Sequence, residues 1–306
     1  MKSNSQAQNA SRTVRSLQRS PTSGRTLFGT LMNVVVFTCV ALALLPLLAV
    51  LFYVIVQGVS KLNLSVFTEL PPPPCSGSAC EGLPEGGFRN AIVGTLIMVG
   101  IGALISIPFG VLAAIYLSEF SSGKVAQWTR FATDVLSGVP SIIVGVFAYG
   151  VIVLTMRSYS AWAGGFALSI LMLPIIVRTT DEALKLVPQE LRQAAVGLGA
   201  TDFQTVSRVV LPAAIPAIIT GITLAIARAA GETAPLLFTA LFTQFGINWS
   251  NGLVGPAASL SVLIYNFATV PFDNQQQLAW AASLILVLLV LITSAIARLA
   301  TARRVY

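Results

Sequence analysis

Between residues 27 and 56 the chain carries no charged side chain, and further long apolar runs follow at about 91–117, 131–156, 162–177, 213–242 and 278–299. A helix of about 20 apolar residues crosses the hydrocarbon of a bilayer, and a soluble domain has nowhere to bury several such runs. The runs are far longer than barrel strands need, so the spans are helices, whose backbone groups are satisfied internally. Only 9% of the 306 residues are charged and 55% are hydrophobic, with a mean hydropathy of +0.83. The expected fold class is all-α: a polytopic helical membrane protein with about six transmembrane helices.

Charge placement orients the spans. Residues 1–26 hold Lys2, Arg12, Arg15, Arg19 and Arg25 without an acid, which reads as a disordered cytoplasmic tail ahead of a transmembrane domain at 27–306. The first run is too long for a cleaved signal segment. With the N-terminus inside, six spans put fourteen of the eighteen basic residues in the cytoplasm and three, Lys61, Arg89 and Arg157, outside, with Arg228 in the membrane. Both termini and the 178–212 loop are then cytoplasmic, and the 57–90 loop is external. Two shorter apolar pieces, 234–247 and 256–270, leave eight membrane-embedded segments as an alternative, because two extra spans would not move either end.

Composition also excludes chemistry. The chain has no histidine, so histidine bases, Ser–His–Asp triads and histidine metal sites are ruled out; no metal site and no catalytic residue are expected. It has no glycine-rich phosphate loop ending in Lys-Ser or Lys-Thr, so any nucleotide that drives it binds another chain. The formal charge of +7 is spread along the ends of apolar runs and is not clustered with aromatics, which fits membrane orientation and not nucleic acid. Cys39 lies in the first run as a small packing residue. Cys75 and Cys80 share the external loop behind four prolines; that side permits a disulfide, with two free thiols as the alternative.

Two polar features interrupt the apolar pattern. Residues 188–216 open with Pro188, suited to the start of a helix, followed by Gln189 and Glu190. Leu191, Ala194, Ala195 and Leu198 recur at helical spacing, while Glu190, Arg192 and Gln193 fall elsewhere on the surface. Gly197 and Gly199 end that helix, and Thr201 with Gln204 forms a capping box for a second, with Phe203, Val206 and Val210 on one face. The expected product is a pair of short amphipathic helices, either facing a partner or lying on the membrane surface. The second feature is Arg228 and Glu232, four residues apart inside the fifth run and flanked by Gly231 and Pro235. Ionisable groups at that depth are costly and usually functional, and a planar guanidinium matches an oxyanion; a self-neutralising pair that locks helices is the alternative. Ser137 and Ser141, around Gly138–Val139–Pro140, are weaker hydroxyl candidates.

The stretch QAAVGLGATDFQTVSRVVLP resembles the cytoplasmic EAA loop of ABC-importer permeases: Gln193, Ala194 and Ala195 stand for EAA, Gly199 for the glycine, Val209 for the aliphatic position and Leu211–Pro212 for the LP ending. Gln193 departs from the family's Glu. FRNAIVGTLIMVGIGALISIPFGVLAAIYLSEF, SGVPSIIVGVF and ARAAGETAPLLF resemble the phosphate-specific importer, and GETAPLLF its A-type permease subunit. The resemblance implies a permease in a bacterial inner membrane, working with a second, different permease subunit, two ATPase subunits that bind ATP and Mg, and an extracytoplasmic phosphate-binding protein. It implies a substrate path at Arg228 and Glu232, to which Ser141 is added. It also implies ATPase coupling through Glu190, Leu191, Gln193, Ala194, Ala195, Leu198, Gly199, Phe203 and Pro212. An importer of another oxyanion, sulfate or molybdate, is the nearest rival; an ion-coupled secondary transporter is a more distant one.

Overall fold

The computed structural model describes residues 24–302 apart from 83, 85, 122, 248, 250 and 251. The expected tail falls almost wholly outside these residues, and where they begin, at Gly24, the chain is already helical. Helix α1 runs Gly24–Val59 through an internal proline, Pro46. The chain divides after Ile55 into two units, the first holding most of α1 and the second everything from Val56 onward.

In the second unit α2 (Arg89–Phe120) and α5 (Ala161–Lys185) are the long central helices. They run side by side in the same direction: Gly102 lies against the Gly165 carbonyl, and farther along Gly110 lies against Ile176. A Cβ at Gly110 would stand 2.8 Å from Ile176 Cγ2, so the helices approach this closely only because the side chain is missing. Around α5 gather Met98, Leu168, Met172, Ile176, Ala225, Ala229 and Leu236 as one apolar core. A second core joins Phe88 and Ala91 to Leu260, Leu263 and Phe267 of α9 (Leu260–Thr269) and Ala281, Ala282 and Ile285 of α10 (Asp273–Ala302).

Among the described residues five helices are long and apolar enough to cross a membrane, or six if one bent pair is a single span. That pair stands where one span was expected at 131–156. Helix α3 starts at Lys124, ahead of the expected run, and ends at Gly138; α4 (Ser141–Met156) leaves at an angle of 100°. Pro140 has no N–H to give and pushes Val139 out of helical conformation, to φ −70° and ψ 128°. The expected fifth span is also too long as drawn. Helix α7 (Asp202–Gly231) stops at Gly231, and the six-residue α8 (Ala234–Thr239) follows. With α9 only ten residues long, neither short apolar piece can cross a bilayer, which removes the two extra spans of the eight-segment alternative.

At one end of α2, the 57–88 segment is sewn to the start of α10. Cys75 and Cys80 are joined by a disulfide. The Cys75 amide donates to Asn274 Oδ1 at 3.1 Å, and Asn274 Nδ2 donates to the Pro73 carbonyl at 2.9 Å. The opposite end of α2 carries the helix pair of the 188–216 segment.

Candidate functional site

Two regions hold the expected site residues. The first is the break after α7. Arg228 sits in the last turn of α7, where the unpaired carbonyls favour a cation, and Glu232 lies just past the helix end, with extended backbone at φ −71° and ψ 129°. The two do not share a helical face, as the four-residue spacing suggested, because the helix has opened between them. Their side chains still meet: Arg228 Nε donates to Glu232 Oε1 at 3.3 Å. Arg228 is 51% exposed and Glu232 15%, so the arginine is open on one side while the acid is largely enclosed. Ala225 and Ala229 flank Arg228 and pack in the core with Leu168 and Met172, which puts the pair level with the middle of α5.

The break is held by its backbone. Ser261 Oγ donates to the Glu232 carbonyl at 2.7 Å, and Ser261 belongs to the first turn of α9, whose cap is Ser259. On the other side α8 packs on α4. A Cβ at Gly145 would stand 2.6 Å from Pro235 Cα. Ser141 is one helical turn before Gly145 on the same face of α4, and it is half-buried. Ser137 is spent on a backbone bond, donating to the Thr133 carbonyl at 3.0 Å.

The second region is the helix pair. Helix α6 spans Gln189–Gly197, with Pro188 immediately ahead of it. Its end is built by Gly199, at φ +85°: the Gly199 amide returns to the Val196 carbonyl at 2.9 Å and that of Ala200 to the Ala195 carbonyl at 3.1 Å. This is the left-handed cap that glycine adopts without strain. Thr201 and Gln204 form the reciprocal capping box. The helix that this box opens is not a separate short one. It is the first turn of α7, which continues through a wide turn at Val206–Val210 into the membrane. Pro212, exposed at that point, has no N–H for the Arg208 carbonyl, and the widened turn lies where that bond is missing.

The apolar stripe expected on α6 is divided. Ala195 is buried, while Leu191 (46% exposed) and Leu198 (90%) remain open, as does Phe203 (71%). Glu190, Gln193, Ala194 and Gly199 are exposed as well. Val206 and Val210 turn inward, and Val210 seats with Leu184, Val187 and Ala214 at the base of the pair. Arg192 corrects a further expectation. It is not on the surface but 17% exposed, paired with Glu119 of α2, and its Nη2 donates to the Leu184 carbonyl at 2.8 Å. Beside it Arg130 of α3 bonds Asp181 of α5 at 3.2 Å, and Lys185 pairs with the same acid. Neither cluster was visible in sequence, since the partners stand 73 and 51 residues apart. The faint signal was Glu119 and Arg130 sitting at the edges of apolar runs.

Residues 106–306 match the family described as the binding-protein-dependent transport system inner membrane component. The chain belongs to that family. The permease is 43% identical over 259 residues to the phosphate transport system permease protein PstA of Yersinia pestis, covering 84% of each chain. It is 42% identical over 264 residues to the protein of the same name from Haemophilus influenzae, covering 86% of this chain and 90% of that one. PstA 1 of Mycobacterium tuberculosis is 38% identical over 258 residues, 83% of the permease. A solved bacterial alginate ABC transporter contains a chain that superposes with a TM-score of 0.61 at 15% identity, over 91% of the permease and 96% of that chain, which shows the fold. The permease is a multi-pass transport subunit.

Proposed function

We propose that the chain forms half of the translocation path of an ATP-driven inorganic phosphate importer, with Arg228 as its anion contact. The observation that carries this reading is a half-exposed guanidinium at mid-depth, held at an opened helix end and touched by an acid on one nitrogen only. That contact uses Nε and leaves the outer nitrogens of the fork to a second oxyanion. Glu232 gives the site its selectivity. A carboxylate repels a fully deprotonated anion and accepts a hydrogen bond from one that keeps a proton, as phosphate does near neutral pH and sulfate does not. Ser141, on the α4 face that meets α8, supplies a hydroxyl along the same path.

The exposed apolar groups Leu191, Leu198 and Phe203, with Glu190 and Gln193 between them, form the face that docks on an ATPase subunit holding ATP and Mg. The complex comprises this chain, a second and different permease subunit, two ATPase subunits and an extracytoplasmic phosphate-binding protein. It sits in a bacterial inner membrane with both termini of this chain in the cytoplasm. Named relatives that are phosphate permeases support the substrate. The deciding measurement is uptake of labelled phosphate into vesicles that contain the whole complex. Uptake should require ATP, ignore excess sulfate or molybdate, and lose that discrimination in Glu232→Gln. Equal competition by sulfate, or uptake without ATP, would overturn the assignment.

A further inference from the structure

Helix α6 packs on the first turns of α7 through the buried Ala195, and a buried ion pair and a carbonyl tie it to α2 and α5. Arg192 reaches Glu119, which is 6% exposed, and the Leu184 carbonyl near the end of α5. Glu119 lies in a wide turn, Tyr116–Phe120, that closes α2. The same turn is gripped from the other side, because Arg130 of α3 donates to the Leu117 carbonyl at 2.9 Å while also holding Asp181. Helix α3 then leads through its 100° elbow into α4, and α4 bears on Pro235, three residues beyond Glu232. A chain of direct contacts thus joins α6 to the break in α7 without passing along α7 itself.

We propose that Arg192 and Glu119 are the clasp that converts movement of α6 into movement of the α3–α4 elbow, and so into opening or closing at Arg228. The proposal rests on the reading of α6 as the ATPase-docking helix. Two features suit the pair to this task. Separating it would strand two desolvated charges, so a displaced α6 pulls the α2 turn with it. Arg192 Nε is also buried without an acceptor, on the same edge as the Nη2 that donates to the Leu184 carbonyl, while Nη1 holds Glu119. The clasp therefore has a second arrangement available, in which the carboxylate displaces the Leu184 carbonyl and takes a two-point grip on Nε and Nη2, the grip by which Arg130 holds Asp181. Wide helical turns of the Tyr116–Phe120 kind are where helices change register locally, which gives Glu119 room to make that step. These residues position the site and do not touch the substrate.

The test uses the complete complex in proteoliposomes, with phosphate uptake and ATP hydrolysis measured on the same vesicles. Glu119→Gln and Arg192→Gln should retain the ATPase subunits and hydrolyse ATP, while phosphate carried per ATP falls about tenfold. The exchange E119R/R192E should restore most of that ratio. A normal ratio in both single variants, or an exchange no better than the singles, would overturn the clasp. Should a single variant fail to assemble, Arg192→Lys keeps the charge and loses the two-point fork; an unchanged ratio there overturns the proposal too. Leu198→Asp separates the two readings, because it should release the ATPase altogether. If the ATPase stays bound in that variant, the docking face is wrong whatever the clasp variants do.

Discussion

Two of the molecule's arginine–glutamate pairs share their chemistry and differ in their surroundings. Arg192 and Glu119 are enclosed, 17% and 6% exposed, and bridge helices far apart in sequence. Arg228 and Glu232 are four residues apart at an opened helix end, and the arginine is half-exposed. A buried pair enclosed on both sides holds elements together and has no open face to offer a ligand. A pair with one open member has a fork partly free and an acid beside it to moderate what the fork binds. Accessibility, not residue identity, separates the proposed joint from the proposed substrate contact.

The largest effect that tests this contrast is on transport. Arg228→Gln removes up to two charge-assisted bonds to the anion, each worth about 1.5–3 kcal/mol, so uptake should fall by roughly a hundredfold or more. Assembly and thermal unfolding in detergent should change little, because the side chain is half in the open. A comparable loss of stability would mean that Arg228, too, is a joint. Arg192→Leu should show the reverse profile. Leaving Glu119 buried and unpaired costs about 3–5 kcal/mol, and adding Glu119→Leu should recover much of it, since an apolar pair of similar volume has no charge to strand. A double variant as unstable as the single would show that the pair is not the source of the cost. Next in size is Gly145→Ala. The new methyl would meet Pro235 Cα at 2.6 Å, so α4 and α8 must part at a cost of about 1–3 kcal/mol. Uptake should decline while the ATPase remains bound; full activity would disconnect α4 from the break.

Much of this was legible in the sequence because it depends on local composition. Apolar length gives the spans, Gly199 and the Thr201–Gln204 box give the elbow, and Gly231 with Pro235 marks a weak point around Glu232. What was illegible depends on contacts between distant residues or on how far a helix runs once packed. Periodicity placed Arg192 on the surface, and only the fold brings Glu119 beneath it. Phe203, Val206 and Val210 read as one face of a short helix; in the structure Val210 is buried with Leu184 and the helix continues, since nothing after Thr205 stops it. The third run is continuous by hydropathy, and Pro140 in its middle is the residue that signals a bend there, though not its size of 100°.

The smallest predicted effect concerns how the open pair is aimed. Among the described residues only Arg228 bonds the Glu232 carboxylate, at 3.3 Å, whereas the Glu232 carbonyl accepts a 2.7 Å bond from Ser261. The acid is therefore positioned through its backbone, by an element that is itself pinned: the Leu260 amide donates to Thr95 Oγ1 at 2.8 Å. Ser261→Ala should remove about 1 kcal/mol of that restraint, leaving expression and ATPase binding intact. The apparent KM for phosphate should rise a few-fold, with maximal uptake nearly unchanged, because the contact groups remain and only their aim loosens. An unchanged KM would show that side-chain pairing with Arg228 is enough to hold Glu232, making the two ion pairs more alike than their exposure suggests.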